Sequence, residues 1–255
     1  MRSSRREASD LNSSRAKPDE IWASKFTVAK ILEPMECNTH KLKLIRELIP
    51  ANPTLNREQR NLFLSTYRSA TLKKRNGLRI LRAIAEQQRK SGKIDRAQKL
   101  EELKNILQVE LFDLCTEVHM MIDKYLYPET MDANSNAFYL KMNADFYRYE
   151  YEFASEANQQ ELASKARECY LKAMHISKES LQRGSALSLS LSLNYSVFLY
   201  EVENQKKQAI DTAQNALDES GILVHDGNDD DYSEAATTQQ LLRENITMWT
   251  RDEGE

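Results

Sequence analysis

Only 6 glycines and 5 prolines punctuate a chain of 255 residues. A many-stranded β fold needs turn residues every ten or so positions, so this scarcity leaves long uninterrupted helices as the natural outcome. Hydrophobic residues make up 40% and charged residues 29%, enough apolar material for one large helical domain or two small ones. The formal net charge of -3 argues against a general nucleic-acid binder, which carries a strong basic excess.

Three cysteines, Cys37, Cys115 and Cys169, are far apart and form no CxxC pair. A disulfide framework or thiolate metal site is not expected, and a reducing, cytoplasmic setting is. No apolar run approaches the ~18–20 residues of a membrane-spanning helix. Residues 1–19 are rich in Ser and Arg with almost no apolar content, and are expected to be a disordered basic tail. A helical domain is expected over 20–251.

Apolar spacing predicts nine helices within that domain. The first two run over 21–37, ended or bent near Pro34, and up to Pro50-Ala-Asn-Pro53. Long helices follow over 56–89 and 94–127. In the second, Leu100, Leu103, Leu107, Leu111, Leu114, Val118 and Ile122 recur every three or four residues, the mark of a core-facing stripe. Further helices are read at 135–155, 158–182, 186–203, 205–222 and 233–250. Short loops between them favour antiparallel packing of neighbours. No fixed-period repeat emerges, although 166–173 would suit a helical-hairpin repeat.

Catalytic and metal chemistries find no residues to carry them, and no cofactor is implied. His40, His119, His175 and His225 lack HxxxH or HExxH partners, and the chain has no phosphate-cradling glycine loop and no GxSxG elbow. The acidic run 226–231 resembles a calcium loop only superficially. Asp231 stands where the sharp-turn glycine belongs and Thr237 where the closing glutamate belongs.

Two pairs of cations stand out. Arg68 and Arg75 are seven residues apart, about 10.5 Å along one helical face. Lys141 and Arg148 repeat that spacing, with Tyr149 beside the second. Guanidinium forks match phosphate oxygens bidentately, and a tyrosine hydroxyl can add a bond. From spacing alone, the plainer readings stay open beside a phosphate site and the first is favoured: a solvated basic face for the first pair and an aromatic core helix for the second.

The surrounding blocks carry a resemblance. Residues 138–153 are similar to the stretch FYLKMxGDYYRYLAE of the 14-3-3 family. Leu191 to Glu201 resembles its LALNFSVFYYE, Leu241 to Thr250 its LLRDNLTLWT, and Arg60-Asn-Leu with Tyr67-Arg68 its RNLLSVAYK. In order, the blocks span roughly 56–250 and fade toward the N-terminus. The resemblance implies a single all-α domain whose antiparallel helices form a concave amphipathic groove. It also implies a non-enzymatic adaptor that binds phosphorylated Ser/Thr segments of client proteins. Residue by residue, it places Arg68, Arg75, Arg148 and Tyr149 on the phosphate. Lys141, Asn194, Asn245 and Glu201 would line the peptide groove, with Leu193, Val197, Leu241, Met248 and Trp249 forming its apolar wall.

The chain departs from the family where the family dimerises. The ERYDDM stretch becomes 36–41, with His40 at an interface aspartate; Leu103 and Ile106 replace a tyrosine and a lysine, and Gly77 a serine. The expectation is a homodimer resting on apolar contacts such as Ile31, Met35, Leu103 and Ile106. The PTHP turn becomes Arg183-Gly-Ser-Ala186, which predicts a looser entry to the helix bearing Asn194. Arg5-Arg-Glu-Ala-Ser9 reads either as a kinase site whose phosphoserine competes for the groove or as a plain basic tail. The rival reading of the whole chain is a phosphate-independent helical scaffold.

Overall fold

The computed structural model describes residues 18–35, 37–127, 132–221 and 229–252. The tail through residue 17, with Ser9, and residues 226–228 of the acidic run lie outside them, while Asp229 to Asp231 of that run, expected in a loop, begin the last helix. Among the described residues there are nine α-helices and no strand. The chain divides into two compact units, Met1–Ala70 and Thr71–Glu255, with the boundary inside the third helix.

In the first unit, α1 (Pro18–Ile31) packs on α2 (Asn38–Ala51). Trp22 Nε1 donates to the Leu48 carbonyl at 3.0 Å, and Trp22 stacks on Phe26. Pro34 ends the first helix as expected: turns occupy 32–35, because the residue before a proline is pushed out of the α region. Pro50 is tolerated inside the last turn of α2, where only one residue follows it. Asn56 caps α3 (Arg57–Lys90) reciprocally: its Oδ1 accepts from Gln59 N at 3.0 Å, and Gln59 Oε1 accepts from Asn56 N at 2.8 Å. Leu42, Ile45, Leu48, Ile49, Leu62, Phe63 and Tyr67 form the buried core of this unit.

The second unit takes the rest of α3, then α4 (Ile94–Met121), α5 (Ala133–Tyr151), α6 (Glu156–Ser180), α7 (Ala186–Glu201), α8 (Lys206–Ser220) and α9 (Asp229–Asp252). One regular helix was expected over 94–127. Its last turn, Ile122–Leu126, is instead a π-turn closed by Tyr127 N to the Ile122 carbonyl at 2.9 Å. α5 begins two residues earlier than expected because Asp132 caps it, accepting from Ser135 N at 3.0 Å. Within this unit α5 packs chiefly on α6, and α7 on α8 and α9, around a core that includes Tyr170, Tyr195, Phe198, Leu242 and Trp249.

Two glycines are set by close packing. A Cβ at Gly77 would lie 2.9 Å from Leu107 Cδ2, so α3 and α4 approach too closely there for a side chain. Gly184 has φ +76°, and a Cβ there would meet the Ser220 carbonyl at 3.2 Å. The turn at 183–186 thus lies close against the end of α8. Ser185 also caps α7, and Ser177 bonds Ser188 at 3.1 Å. One part of the sequence reading is corrected: the α4 stripe does not face the core along its whole length. Leu111, Leu114, Val118 and Ile122 are buried, but Leu103 is 51% exposed, beside exposed Ile106 and Val109. Periodicity shows which face is apolar, not what covers it.

Candidate functional site

Helix α5 organises the site. Its residues from Ala137 to Phe146 are all buried, so its charged groups must find partners within the protein. Lys141 and Asp145, one turn apart, pair at 3.0 Å. Asp145 also accepts from Asn194 Nδ2 of α7 with both oxygens at 2.8 Å, and from the Tyr170 hydroxyl of α6 at 2.6 Å. Lys141 and Asn194 are thereby brought together over one carboxylate. Burial favours the neutral acid, but Lys141, Arg148 and the hydrogen bonds from Tyr170 and Lys141 outweigh it, holding Asp145 below the ordinary aspartate pKa. Burial and Asp145 together push Tyr170 well above the ordinary tyrosine value, so its hydroxyl stays a donor.

One turn further on, Arg75, Arg148 and Tyr149 converge. The Arg75 Cζ lies 4.1 Å from the centroid of the Tyr149 ring and the Arg148 Cζ 5.3 Å from it. Arg75 donates through Nε and Nη2 to Glu152 Oε2 at 2.9 and 2.7 Å, and Arg79 donates to the same carboxylate. Burial would raise the Glu152 pKa, but the bonds from Arg79 and Arg75 dominate and lower it. Arg148 Nη1 reaches Glu201 Oε2 at 3.4 Å, while its Nε is buried without an acceptor among the described residues. Burial disfavours the Arg148 charge, but Tyr170, Tyr149, Asp145 and Glu201 more than offset it, and its pKa is raised. It is a permanent cation with an unused donor.

The remaining expected residues fall into four groups. Leu193, Val197 and Asn245 are half-buried, while Leu241 and Met248 are 43% and 45% exposed. Trp249 is 2% exposed and stacked on Tyr200 at 4.7 Å, so it belongs to the core and does not present its ring to solvent. Arg68, exposed, belongs to the first unit. Sequence reading missed Glu152, Arg79, Asp145 and Tyr170. Only the Lys141–Asp145 pair had a signal, its four-residue spacing.

Comparison with known proteins matches residues 28–250 to the family described as 14-3-3 protein. The chain belongs to the 14-3-3 family. It is 33% identical to 14-3-3 protein beta/alpha of Xenopus tropicalis over 224 residues, 88% of this chain and 91% of that one. It is 32% identical to 14-3-3 protein beta/alpha of Homo sapiens and to 14-3-3-like protein 2 of Caenorhabditis elegans, each over 88% of this chain and 90% of the relative. The single 14-3-3 match spans both compact units, which are therefore parts of one all-helical domain. 14-3-3 proteins are adaptors, not catalysts, and this is a divergent one. Among the described residues no helix is long and apolar enough to cross a membrane, and no three His, Cys, Asp or Glu side chains group as metal ligands.

Proposed function

We propose that this chain binds phosphorylated serine or threonine segments of client proteins through Arg75, Arg148 and Tyr149. The observation that carries the reading is the convergence of two guanidinium groups on one tyrosine ring. A phosphate offers several strong acceptors to such a cluster. Arg68 joins the proposal on its place in the sequence, seven residues before Arg75. Lys141, Asn194, Asn245 and Glu201 hold the ligand's main chain and polar groups, and Leu193, Val197, Leu241 and Met248 its apolar side.

Magnitudes make the wall necessary. Three charge-assisted contacts at ~1.5–3 kcal/mol each supply roughly 4–9 kcal/mol. Ordering a flexible peptide takes back ~2–5 kcal/mol or more, whereas micromolar binding requires about 8 kcal/mol. The asparagines and apolar residues provide the difference. We further propose that the chain works in the cytoplasm as a homodimer. Its interface would be built on Ile31, Met35, His40, Gly77, Leu103 and Ile106; both Ile31 and Met35 are 61% exposed.

The test is a fluorescence polarisation titration of the whole protein with a labelled phosphoserine peptide and its unphosphorylated twin. It is repeated on Arg75→Glu and Arg148→Glu. Phosphate-dependent binding that both substitutions abolish is expected. Equal binding of the two peptides would overturn the proposal in favour of a phosphate-independent scaffold.

A further inference from the structure

Behind the phosphate site lies a buried polar cluster that the reading above does not use. His119 of α4 is 9% exposed, its ring stacked on Tyr147 at 3.8 Å and 14°. Its Nδ1 lies 2.9 Å from Asn143 Oδ1 and its Nε2 3.4 Å from Glu150 Oε2. Asn143 Nδ2 in turn donates to Asp123 of the π-turn at 3.5 Å. The two nitrogen contacts and the stacking fix the imidazole in rotation and in plane. Glu150 itself is 8% exposed, and His119 is the one hydrogen-bonding side chain at its carboxylate among the described contacts. In the family stretch that residues 138–152 resemble, leucine stands at this place.

We propose that His119 and Glu150 act as one positioning unit that fixes the rotation of α5 against α4 and so aims Arg148 and Tyr149. The argument is geometric. Successive helical residues are turned by about 100°, so Glu150, held by α4, sets where its neighbours Arg148 and Tyr149 point toward Arg75. A buried carboxylate can act this way only while its partner is present. Removing one member of a buried pair strands the other, whereas replacing both with apolar groups is often neutral. The two residues are therefore mutually dependent, and each matters to the site only through the other.

The proposal rests on phosphopeptide binding for its functional half alone. The test is a double-mutant cycle on the full chain: His119→Leu, Glu150→Leu and both together, with Glu150→Gln as a milder variant. Melting temperature and phosphoserine-peptide affinity are read for each. Each single leucine variant is expected to melt roughly 2–12 °C lower and to bind several-fold more weakly. Glu150→Gln should lose less, and the double variant should regain most of both quantities. Additive melting losses overturn the mutual dependence, and melting losses with unchanged affinity overturn the positioning role. If wild-type protein ignores the phosphate, the binding proposal has failed, and the melting cycle alone still decides whether the pair is coupled.

Discussion

Replacing Asp145 with asparagine removes the negative charge on which three groups converge, and its cost can be estimated. The carboxylate accepts from Lys141 at 3.0 Å, from Asn194 at 2.8 Å through each oxygen, and from Tyr170 at 2.6 Å, with its side chain 3% exposed. An amide keeps one acceptor and turns the other into a donor facing donors, leaving the Lys141 charge buried without its counterion. Breaking a buried pair from one side costs ~3–5 kcal/mol. At about 2–4 °C per kcal/mol for a chain of this size, Asp145→Asn should melt roughly 6–20 °C below wild type at pH 7. The pH dependence gives an independent check. The folded pKa of Asp145 lies below its ordinary 3.8, so its stabilisation is fully present above that value. It is lost as pH falls through the folded pKa. Differential scanning calorimetry from pH 7 to pH 2 should show the two proteins converging below about pH 4. A difference under about 2 °C at pH 7, or a gap that stays constant into acid, would refute the reasoning.

Three further outcomes follow from other contacts. Glu152→Gln should lower the stability of the unliganded protein by about 1.5–3 kcal/mol, because Arg75 and Arg79 lose their shared anion. A saturating phosphopeptide should raise its melting temperature more than it raises that of wild type. Gly184→Ala should cost about 1–3 kcal/mol, since it combines positive φ with a Cβ against the Ser220 carbonyl; hydrogen exchange over 183–190 would report the loosened turn. Ile106→Glu, at a position 59% exposed, should shift sedimentation from dimer to monomer with little change in melting of the monomer; a fully dimeric variant would remove Ile106 from the interface.

Helices and their ends were largely legible because they are local. Pro34, the start of the long helix near Asn56 and the three-and-four spacing of Leu111, Leu114 and Val118 each depend on signals within a few residues. The π-turn at 122–126 was not legible, since no glycine or proline marks it. The site was legible only in part. Resemblance supplied Arg75, Arg148 and Tyr149, and the structure brings them together. Their counterions were hidden because Arg75 and Glu152 are 77 residues apart, and Asp145 and Asn194 are 49 apart. The burial of Trp249 was hidden for the same reason: a tryptophan on an amphipathic helix fits wall and core equally until its neighbours are known.

Those hidden counterions bear on which cations a ligand can recruit. Lys141 holds Asp145, whose side chain is 3% exposed and bound from three sides. No incoming anion can displace that carboxylate, so Lys141 serves a ligand only with its remaining donors. Arg75 shares Glu152, 25% exposed, with Arg79, and a phosphate arriving there would join an existing charge network. Arg148 is different. Its counterion, Glu201, is 59% exposed and held at only 3.4 Å. The contact is long and its anion is solvated, so a phosphate can take the place of Glu201 at Arg148 Nη1 while the guanidinium keeps an anionic partner. Phosphate selectivity should therefore depend on Arg148 more than on any other cation of the site.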